Sequence, residues 1–345
     1  MAPPGVSTQP PTAPGGRFPF RFGLALPTSG AFSQPEIIFN FADLAERLEF
    51  DDVWINDHLT FDWHQRATSP VGTIDAVKGQ DPNFFESMTT AAVLLGRMRR
   101  IGVAIGGLVL PLRDPRWLAK QATSMNELTG RRLTLCPGVG MIERSFEVMQ
   151  VSFKSRGQLF DEYLAALHAL CYAPPPVSFD GKTIKCEQAN FYPRGNGLRL
   201  LIAGESERAL ERTAKWGHGW LTSYPEISSY AAKVHALRGL VSSRGRDPDE
   251  IDTAVLVFIC LASNRKRALE ISGPSLAARF GTLERAQEVS IIGSPTEAVE
   301  RLAGMYRAGV RYVQLRPLTK DAAAWVEMVQ WISSDVLPSV RTMTG

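Results

Sequence analysis

The sequence predicts an α/β fold, specifically a (β/α)8 TIM barrel with a surface insertion after the fourth βα unit. Short apolar runs alternate with amphipathic runs along most of the 345 residues, and about eight such apolar runs can be counted. Nearly every apolar run is followed by a helical pattern, as expected of parallel strands joined by crossover helices. Eight such units fit a closed barrel better than an open sheet, and about 250 residues commonly form one barrel domain.

The beginning of the chain divides into a tail and the start of the barrel. Residues 1–17 are rich in Pro, Gly, Ser and Thr and lack the apolar core of a signal peptide, so we expect a disordered tail. Residues 18–345 are expected to form a single domain, which opens with the apolar run Phe20–Leu26. A helical spacing of apolar residues over 35–50 then precedes a buried strand at Asp51–Asn56.

The alternation continues through the middle of the chain. The predicted elements there are a helix at Phe84–Met98, a strand at Arg100–Leu110, a helix at Asp114–Gly130, a strand at 132–140 and a helix at 155–171. Asp114 is expected to cap its helix, with Pro115 at the first helical position and Gly130 as the stop. In the last helix, one apolar face is predicted from the spacing of Leu159, Tyr163, Ala166 and Leu170.

An insertion of about 25 residues interrupts this rhythm. Within residues 173–197, Asp180-Gly181 stands between two alternating runs and predicts a β-hairpin on the surface. Strands and helices then alternate again to the end of the chain. Ser294, with Glu297 three residues later, predicts a capping box on one of the last helices.

The amino-acid composition argues against several classes of function. The net charge of +3 marks neither a nucleic-acid surface nor a membrane surface, and no apolar run reaches the roughly 18 residues of a membrane span. The four cysteines form no CxxC pair, and no two histidines have a useful ligand spacing, so we expect no metal site. These features predict a reduced, cytoplasmic protein that binds neither nucleic acid nor membrane.

In such a barrel the active site lies at the carboxyl ends of the strands. Asp57 and His58 directly follow a predicted strand, where a carboxylate and an imidazole can bind a ligand and exchange protons. A lone histidine is more often structural, but the adjacent acid and the position at a strand end favour a functional role. Gly106 and Gly107, near the end of the next strand, suggest a bulge, a close approach to something flat, or a plain turn.

The run Ala203-Gly204-Glu205-Ser206 leads from a strand into a helix without spare loop residues. The unpaired N–H groups of a helix start attract a phosphate, and a Gly-rich corner lets the phosphate approach them. The alternative is that Ser206 is an ordinary N-cap and Gly204 a turn residue. A dinucleotide loop at 138–143 is rejected, because Glu143 occupies the place of its third glycine.

Four motifs carry a resemblance to a known family. They are "VWINDHLTF", "RMRRIGVAIGGLVLPLRDPRWLAKQATSMNELTGRRLTLCPGVG", "RGQLFDEYLAAL" and "LLIAGESERALERTAKWGHGWL". In this order and spacing the chain resembles the bacterial-luciferase-like oxidoreductases, from about Phe20 to Leu337, and it is most similar to the branch that uses the deazaflavin coenzyme F420.

The resemblance implies a (β/α)8 barrel with an insertion and assigns roles to the strand-end residues. Asp57 and His58 fall on the Asp-His pair that lines the isoalloxazine pocket, and His58 would be the proton partner. Gly106 and Gly107 fall on the bulge behind the ring, which contains a cis non-prolyl peptide in relatives. The cofactor phosphate would bind at a loop made of Ala203, Gly204, Glu205 and Ser206.

Two departures bear on the cofactor. Luciferases carry Cys-Arg-Gly where this chain has Cys136-Pro137-Gly138, so an arginine that could pair with a flavin phosphate is absent. Conversely, Gly204-Glu205-Ser206 is more luciferase-like than the Gly-Gly-Pro loop of some F420 dehydrogenases. The resemblance therefore implies F420-dependent hydride transfer to or from an organic substrate. The alternatives are an FMN-dependent two-component monooxygenase that uses oxygen, and a flavin-binding relative without catalysis.

The expected partners follow from that resemblance. They are a small-molecule substrate, a flavin or F420 reductase, and a second copy of the chain in a homodimer. The substrate would be selected by the hairpin insertion and by the long loop Asp62–Asn83, which is expected to act as a lid.

Overall fold

The computed structural model describes residues 19–30, 32–60, 83–130 and 132–344. The strands are β1 Arg21–Ala25, β2 Ser29–Gly30, β3 Asp52–Ile55, β4 Asn83–Phe84, β5 Gly102–Val109, β6 Leu133–Gly138, β7 Val177–Asp180, β8 Lys185–Ala189, β9 Arg199–Ala203, β10 Gly219–Ser223, β11 Asp252–Leu261, β12 Ile291–Gly293 and β13 Tyr312–Pro317. The helices are α1 Pro35–Arg47, α2 Ser87–Arg97, α3 Pro115–Leu128, α4 Glu143–Val148, α5 Arg156–Tyr172, α6 Glu207–Trp216, α7 Ile227–Ser242, α8 Arg265–Phe280, α9 Leu283–Val289, α10 Pro295–Arg307, α11 Ala322–Trp331 and α12 Leu337–Thr344. The predicted tail and nearly all of the predicted lid lie outside the described residues.

Eight parallel strands close into a barrel, which confirms the predicted fold. Around the barrel they follow the order β1, β3, β5, β6, β9, β10, β11 and β13, which is also their order along the chain. The circle closes through β1 against β13, where Phe22 pairs with Val313. The short strand β12 extends the carboxyl half of β11 outside this circle.

Successive side chains of each strand point to opposite faces, so they pack either under the helices or inside the barrel. In β3, Val53 and Ile55 pack outward under the helices, whereas Trp54 points into the barrel with Cys136 and Tyr312. All of these side chains are fully buried, as expected for strands that are covered on both faces. The barrel interior is therefore filled with side chains rather than hollow.

A hydrogen-bonded ion cluster forms the amino-terminal floor of the barrel. Asp252 accepts hydrogen bonds from Arg21 and from Arg199, the latter over 3.0 Å. On the other side of the floor, the hydroxyl of Tyr312 donates to Asp52 over 2.6 Å and accepts from Trp54 Nε1 over 2.7 Å. Burial raises the pKa of Asp52 to about 6. This network links the floor to the indole of Trp54 in the middle of the barrel.

Most predicted helix ends are confirmed. The Asp114 side chain accepts a hydrogen bond from Arg116 N and caps α3, which begins with Pro115. Ser294 and Glu297 form the predicted capping box on α10. One boundary differs: α2 begins at Ser87, because Glu86 caps it through Met88 N and Thr89 N.

Helix α5 and the insertion differ in detail from the prediction. Of the predicted face of α5, Ala166 and Leu170 are buried, whereas Leu159 and Tyr163 are half-buried. The neighbouring side chains Phe160, Leu164, Leu167 and Cys171 are fully buried as well. The hairpin is confirmed as β7 and β8, but its turn spans residues 181–184, with Gly181 N bonded to Ile184 O. Glu162 of α5 accepts hydrogen bonds from Thr183 N and Ile184 N, at 2.6 and 2.8 Å, so this longer turn is tied to the helix.

Candidate active site

A cavity of about 720 Å³ opens at the carboxyl ends of the barrel strands. Its walls include seven of the eight predicted site residues: Asp57, His58, Gly106, Gly107, Ala203, Gly204 and Glu205. The eighth, Ser206, directly follows Glu205 at the start of α6. The closure of the barrel thus brings residues from three separate strand ends into one cavity.

Asp57 is held by a dense set of protein donors. Its Oδ1 accepts from the Ser87 hydroxyl over 2.7 Å and from Arg113 Nη2 over 2.5 Å. Its Oδ2 accepts from Val109 N over 2.8 Å. Arg113 also pairs with Glu86 over 2.8 Å, so this cation bridges two carboxylates. Because both oxygens of the buried Asp57 carboxylate are engaged, this side chain joins the ends of β3 and β5.

His58 lies beside Asp57 with its ring directed toward Phe84. The two ring centroids are 6.4 Å apart, in an edge-to-face arrangement. Burial lowers the pKa of His58 below its usual range; the charge of Asp57 acts against this shift, and that of Arg316 adds to it. The imidazole is therefore neutral at pH 7 and able to accept a proton.

Two glycines in the carboxyl half of β5, Gly106 and Gly107, form a bare section of the cavity wall. The peptide between Gly106 and Gly107 is cis, and the pairing of β5 with β6 shifts register between Gly106 and Leu108, so the predicted bulge is confirmed. A Cβ on Gly106 would lie 2.6 Å from the Trp54 ring, so packing requires glycine there. At Gly107 the nearest atoms would be at 3.5 Å or more, so the neighbouring protein does not require glycine. A flat ligand that packs against this wall would require glycine at this position.

The corner after β9 also has the predicted shape. Gly204 has φ = 148°, in a region that disfavours side chains, and its carbonyl accepts from Trp220 Nε1 over 2.7 Å. The Ser206 hydroxyl accepts from Ala209 N over 3.3 Å, so Ser206 is the N-cap of the ten-residue helix α6. The cap interpretation is therefore confirmed, while a role of the corner in binding phosphate stays a prediction.

Sequence reasoning missed four side chains of this site. Ser87 and Arg113 hold Asp57, while Arg279 and Arg316 line the same cavity. Arg316 follows the apolar run of the last barrel strand, and this strand-end position is the signal that could have revealed it. Arg279 lies in α8, away from any strand end, and carries no such signal.

Across the described ranges, no group of three or more His, Cys, Asp and Glu side chains is placed to hold a metal ion. Within the same ranges, no helix combines the length and the apolar character that crossing a membrane requires.

Comparisons with known proteins find similarity both to F420-dependent enzymes and to a monooxygenase. A family profile described as luciferase-like monooxygenase matches residues 18–312. The 5,10-methylenetetrahydromethanopterin reductase of Methanolobus tindarius is 24% identical over 265 residues, which cover 76% of this chain and 70% of that protein. The F420-dependent glucose-6-phosphate dehydrogenase of Microbacterium testaceum is 24% identical over 352 aligned residues, which cover 94% and 98%.

A solved structure of an F420-dependent secondary alcohol dehydrogenase, in complex with an F420-acetone adduct, superposes with a TM-score of 0.78. Its sequence is 15% identical, and the match covers 93% of this chain and 99% of that one. At this identity the likeness supports the barrel fold alone.

Proposed function

The chain belongs to the luciferase-like monooxygenase family, and from this premise we propose that it is an oxidoreductase that uses coenzyme F420 for hydride transfer with an organic substrate. Family membership makes the chain an enzyme with a deazaflavin or flavin cofactor. The observation that carries the proposal is the juxtaposition of a neutral His58 and the bare Gly106-Gly107 wall in one cavity. The F420-dependent relative, which matches 94% of the chain, supports the choice of F420.

The residues present fit such a cofactor. Gly107 is a glycine that its protein neighbours do not demand, and with Gly106 it would hold the flat ring system. The corner Gly204-Glu205-Ser206, at the positive end of α6, would hold the phosphate. When bound, reduced F420 supplies a hydride from its C5 position, and reduced FMN would instead react with oxygen.

His58 is proposed as the group that moves a proton during turnover. Its neutral imidazole accepts a proton from a substrate hydroxyl in one direction and returns it in the other. Asp57 is proposed as a positioning residue, because its oxygens are engaged by Ser87, Arg113 and Val109 N. This differs from the catalytic role that the sequence suggested for Asp57.

An FMN-dependent monooxygenase with a separate reductase is the second candidate. The luciferase-like corner Gly204-Glu205-Ser206 favours it, and so does the description of the family. The chain's Pro137, in place of an arginine, favours F420.

Equilibrium binding of F420 and FMN, each oxidised and reduced, tests the proposal. Trp54 packs directly under Gly106, so its fluorescence reports on a ring bound at that wall. Tight binding of F420 with weak binding of FMN supports hydride transfer, while preference for reduced FMN supports the oxygen-using alternative. If neither cofactor binds at micromolar concentration, both are wrong.

We also propose that the chain forms a homodimer. Trp117 and Leu128 on α3 are 69% and 85% exposed, and their spacing of 11 residues places them on the same helix face. Large exposed apolar side chains on one face favour an interface. Light scattering of the wild type and of Trp117→Glu tests this, because a dimer through α3 would dissociate in the variant.

A further inference from the structure

Two arginines line the cavity without a carboxylate partner among the described residues. Arg279 lies on α8, and Arg316 lies on β13. The described part of the chain places no Asp or Glu oxygen within 4.0 Å of either guanidinium. Arg113 in the same cavity differs, because Asp57 and Glu86 both pair with it.

Arg279 is held by aromatic rings instead of by an acid. Its guanidinium carbon lies 4.6 Å from the ring centroid of Tyr224, 4.9 Å from that of Phe258 and 5.4 Å from that of Phe280. Two of its nitrogens, Nε and Nη1, are buried without a hydrogen-bond partner. Burial lowers the pKa of Arg279 to about 10, so the group stays charged at pH 7.

Arg316 adds a second charge beside the first. Its Nη2 donates to the neutral Asn56 Oδ1 over 2.5 Å, and its guanidinium lies 5.8 Å from the same Phe258 ring that contacts Arg279. The two cations repel each other, and burial makes this repulsion costly. An anion between them would relieve it and supply hydrogen-bond acceptors to both.

Phe258, the ring that both arginines contact, lies on a different side of the barrel from the proposed cofactor wall at Gly106-Gly107. In the circle of eight strands, β5 is the third and β11 is the seventh, so they are opposite each other. Phe258 of β11 pairs in register with Arg316, and α8 follows β11 along the chain. Arg279 therefore lies across the cavity from Gly106 and Gly107, whereas Arg316, on the eighth strand, joins this side to Asn56 after β3. Besides Asp57 and Glu86, the third acid that lines the cavity is Glu205, which follows β9, the fifth strand.

We propose that Arg279 and Arg316 form a subsite for an anionic group, a carboxylate or a phosphate ester, that is carried by the organic substrate. This assignment rests on the proposed function, because it requires the cofactor ring to lie on the opposite wall. A substrate anchored by its anion on this side presents its reacting carbon to the face of the ring that is turned away from Gly106-Gly107. The subsite selects acidic substrates over neutral ones of the same shape.

Titration calorimetry with inorganic phosphate, at constant ionic strength, tests the subsite directly. The titration is made on the free protein and on protein saturated with F420 or FMN, whichever binds. In the saturated protein we expect phosphate binding that weakens about tenfold in Arg279→Gln and in Arg316→Gln, the loss of one charge-assisted contact. Arg238→Gln removes an arginine of α7 that pairs with Asp249, far from the mouth, and should change binding less than twofold.

The possible outcomes separate the inference from the function it rests on. If both cavity variants bind phosphate as the Arg238→Gln control does, the subsite is wrong. Loss of the arginine-dependent binding on cofactor saturation would also overturn it, because the pair would then hold an anion of the cofactor. If neither cofactor binds but the free protein keeps arginine-dependent phosphate binding, the proposed function fails and the anion site stands.

A folding defect is distinguished by a second variant. Arg279→Lys keeps the charge within the aromatic rings, so phosphate affinity should stay within about threefold of the wild type. Circular dichroism establishes whether each variant is folded. If Arg279→Lys is folded but binds phosphate as weakly as Arg279→Gln, charge at this position does not bind the anion, and the inference is refuted.

Discussion

Replacement of Asp57 by asparagine tests the positioning role of this side chain. The carboxylate accepts from two sets of donors, with Ser87 and Arg113 on Oδ1 and Val109 N on Oδ2. Asparagine keeps the shape but has one acceptor oxygen and one NH2 group. In either orientation of the amide, its NH2 group faces a protein donor. The variant therefore leaves at least one buried donor without an acceptor.

The size of the effect follows from these contacts. A buried donor left unpaired costs about 1–3 kcal/mol. Loss of the charge opposite Arg113 adds to this, although Glu86 still pairs with that arginine. We expect the free energy of unfolding to fall by about 2–4 kcal/mol in total.

Urea unfolding, followed by tryptophan fluorescence, measures this change, with Glu86→Gln as the matched control. Glu86 pairs with the same arginine and also caps α2, but its side chain is 46% exposed and glutamine keeps one acceptor oxygen, so its replacement should cost about 1 kcal/mol. If Asp57→Asn lowers the free energy of unfolding by less than about 0.5 kcal/mol, or by no more than the control does, the positioning argument is refuted.

Four further predictions concern the cavity and the barrel. His58→Ala should lower turnover by about 100-fold while changing cofactor affinity less than twofold. Wild-type activity should also fall as acidic pH protonates the imidazole. A pH–rate profile that stays flat on the acid side would remove His58 from the mechanism. Gly107→Val should weaken cofactor binding at least tenfold, in a fluorescence titration, with little change in urea unfolding, because only the ligand requires a bare wall there. Ser206→Asp keeps a good N-cap but repels phosphate, so unchanged cofactor affinity would leave Ser206 with a capping role alone. Burial lowers the pKa of His218 to about 3, so below its unfolded pKa of about 6.5 only the unfolded chain takes up this proton. His218 should therefore contribute a fall of about 1.4 kcal/mol per pH unit in the free energy of unfolding, from pH 6.5 toward pH 3. Urea unfolding of His218→Asn should show a loss that is shallower than that of the wild type by this amount.

The barrel could be predicted because its signals are local. Asp114 before Pro115, and Ser294 three residues before Glu297, mark helix starts within a few residues of chain. Alternation of such signals with apolar runs is enough to count eight units. The closure of the barrel then follows from the number and order of those units.

Details that depend on tertiary contacts could not be predicted in the same way. Helix α5 has apolar residues on more than one side, so spacing did not identify the face with Phe160 and Leu164 as the one that is fully buried. The hairpin turn is longer than Asp180-Gly181 suggests, because Glu162 of a different element binds its N–H groups.

The site was predictable where a functional residue ends a strand. Asp57 and His58 follow β3 directly, and the structure places both in the cavity. The partners of Asp57 could not be identified, because Ser87, at the start of α2, and Arg113, before α3, are 30 and 56 residues away along the chain. Arg279 enters the cavity from a helix, and no local pattern distinguishes it from the other arginines on helices.

The filled floor of the barrel has a kinetic consequence. Among the described residues, Trp54, Tyr312 and the ion pair of Arg21 with Asp252 close the amino-terminal end, so cofactor and substrate are expected to enter from the carboxyl ends of the strands. When both enter from that side, whichever molecule occupies the deeper position has to arrive first and depart last. Steady-state kinetics should then follow a compulsory order of addition.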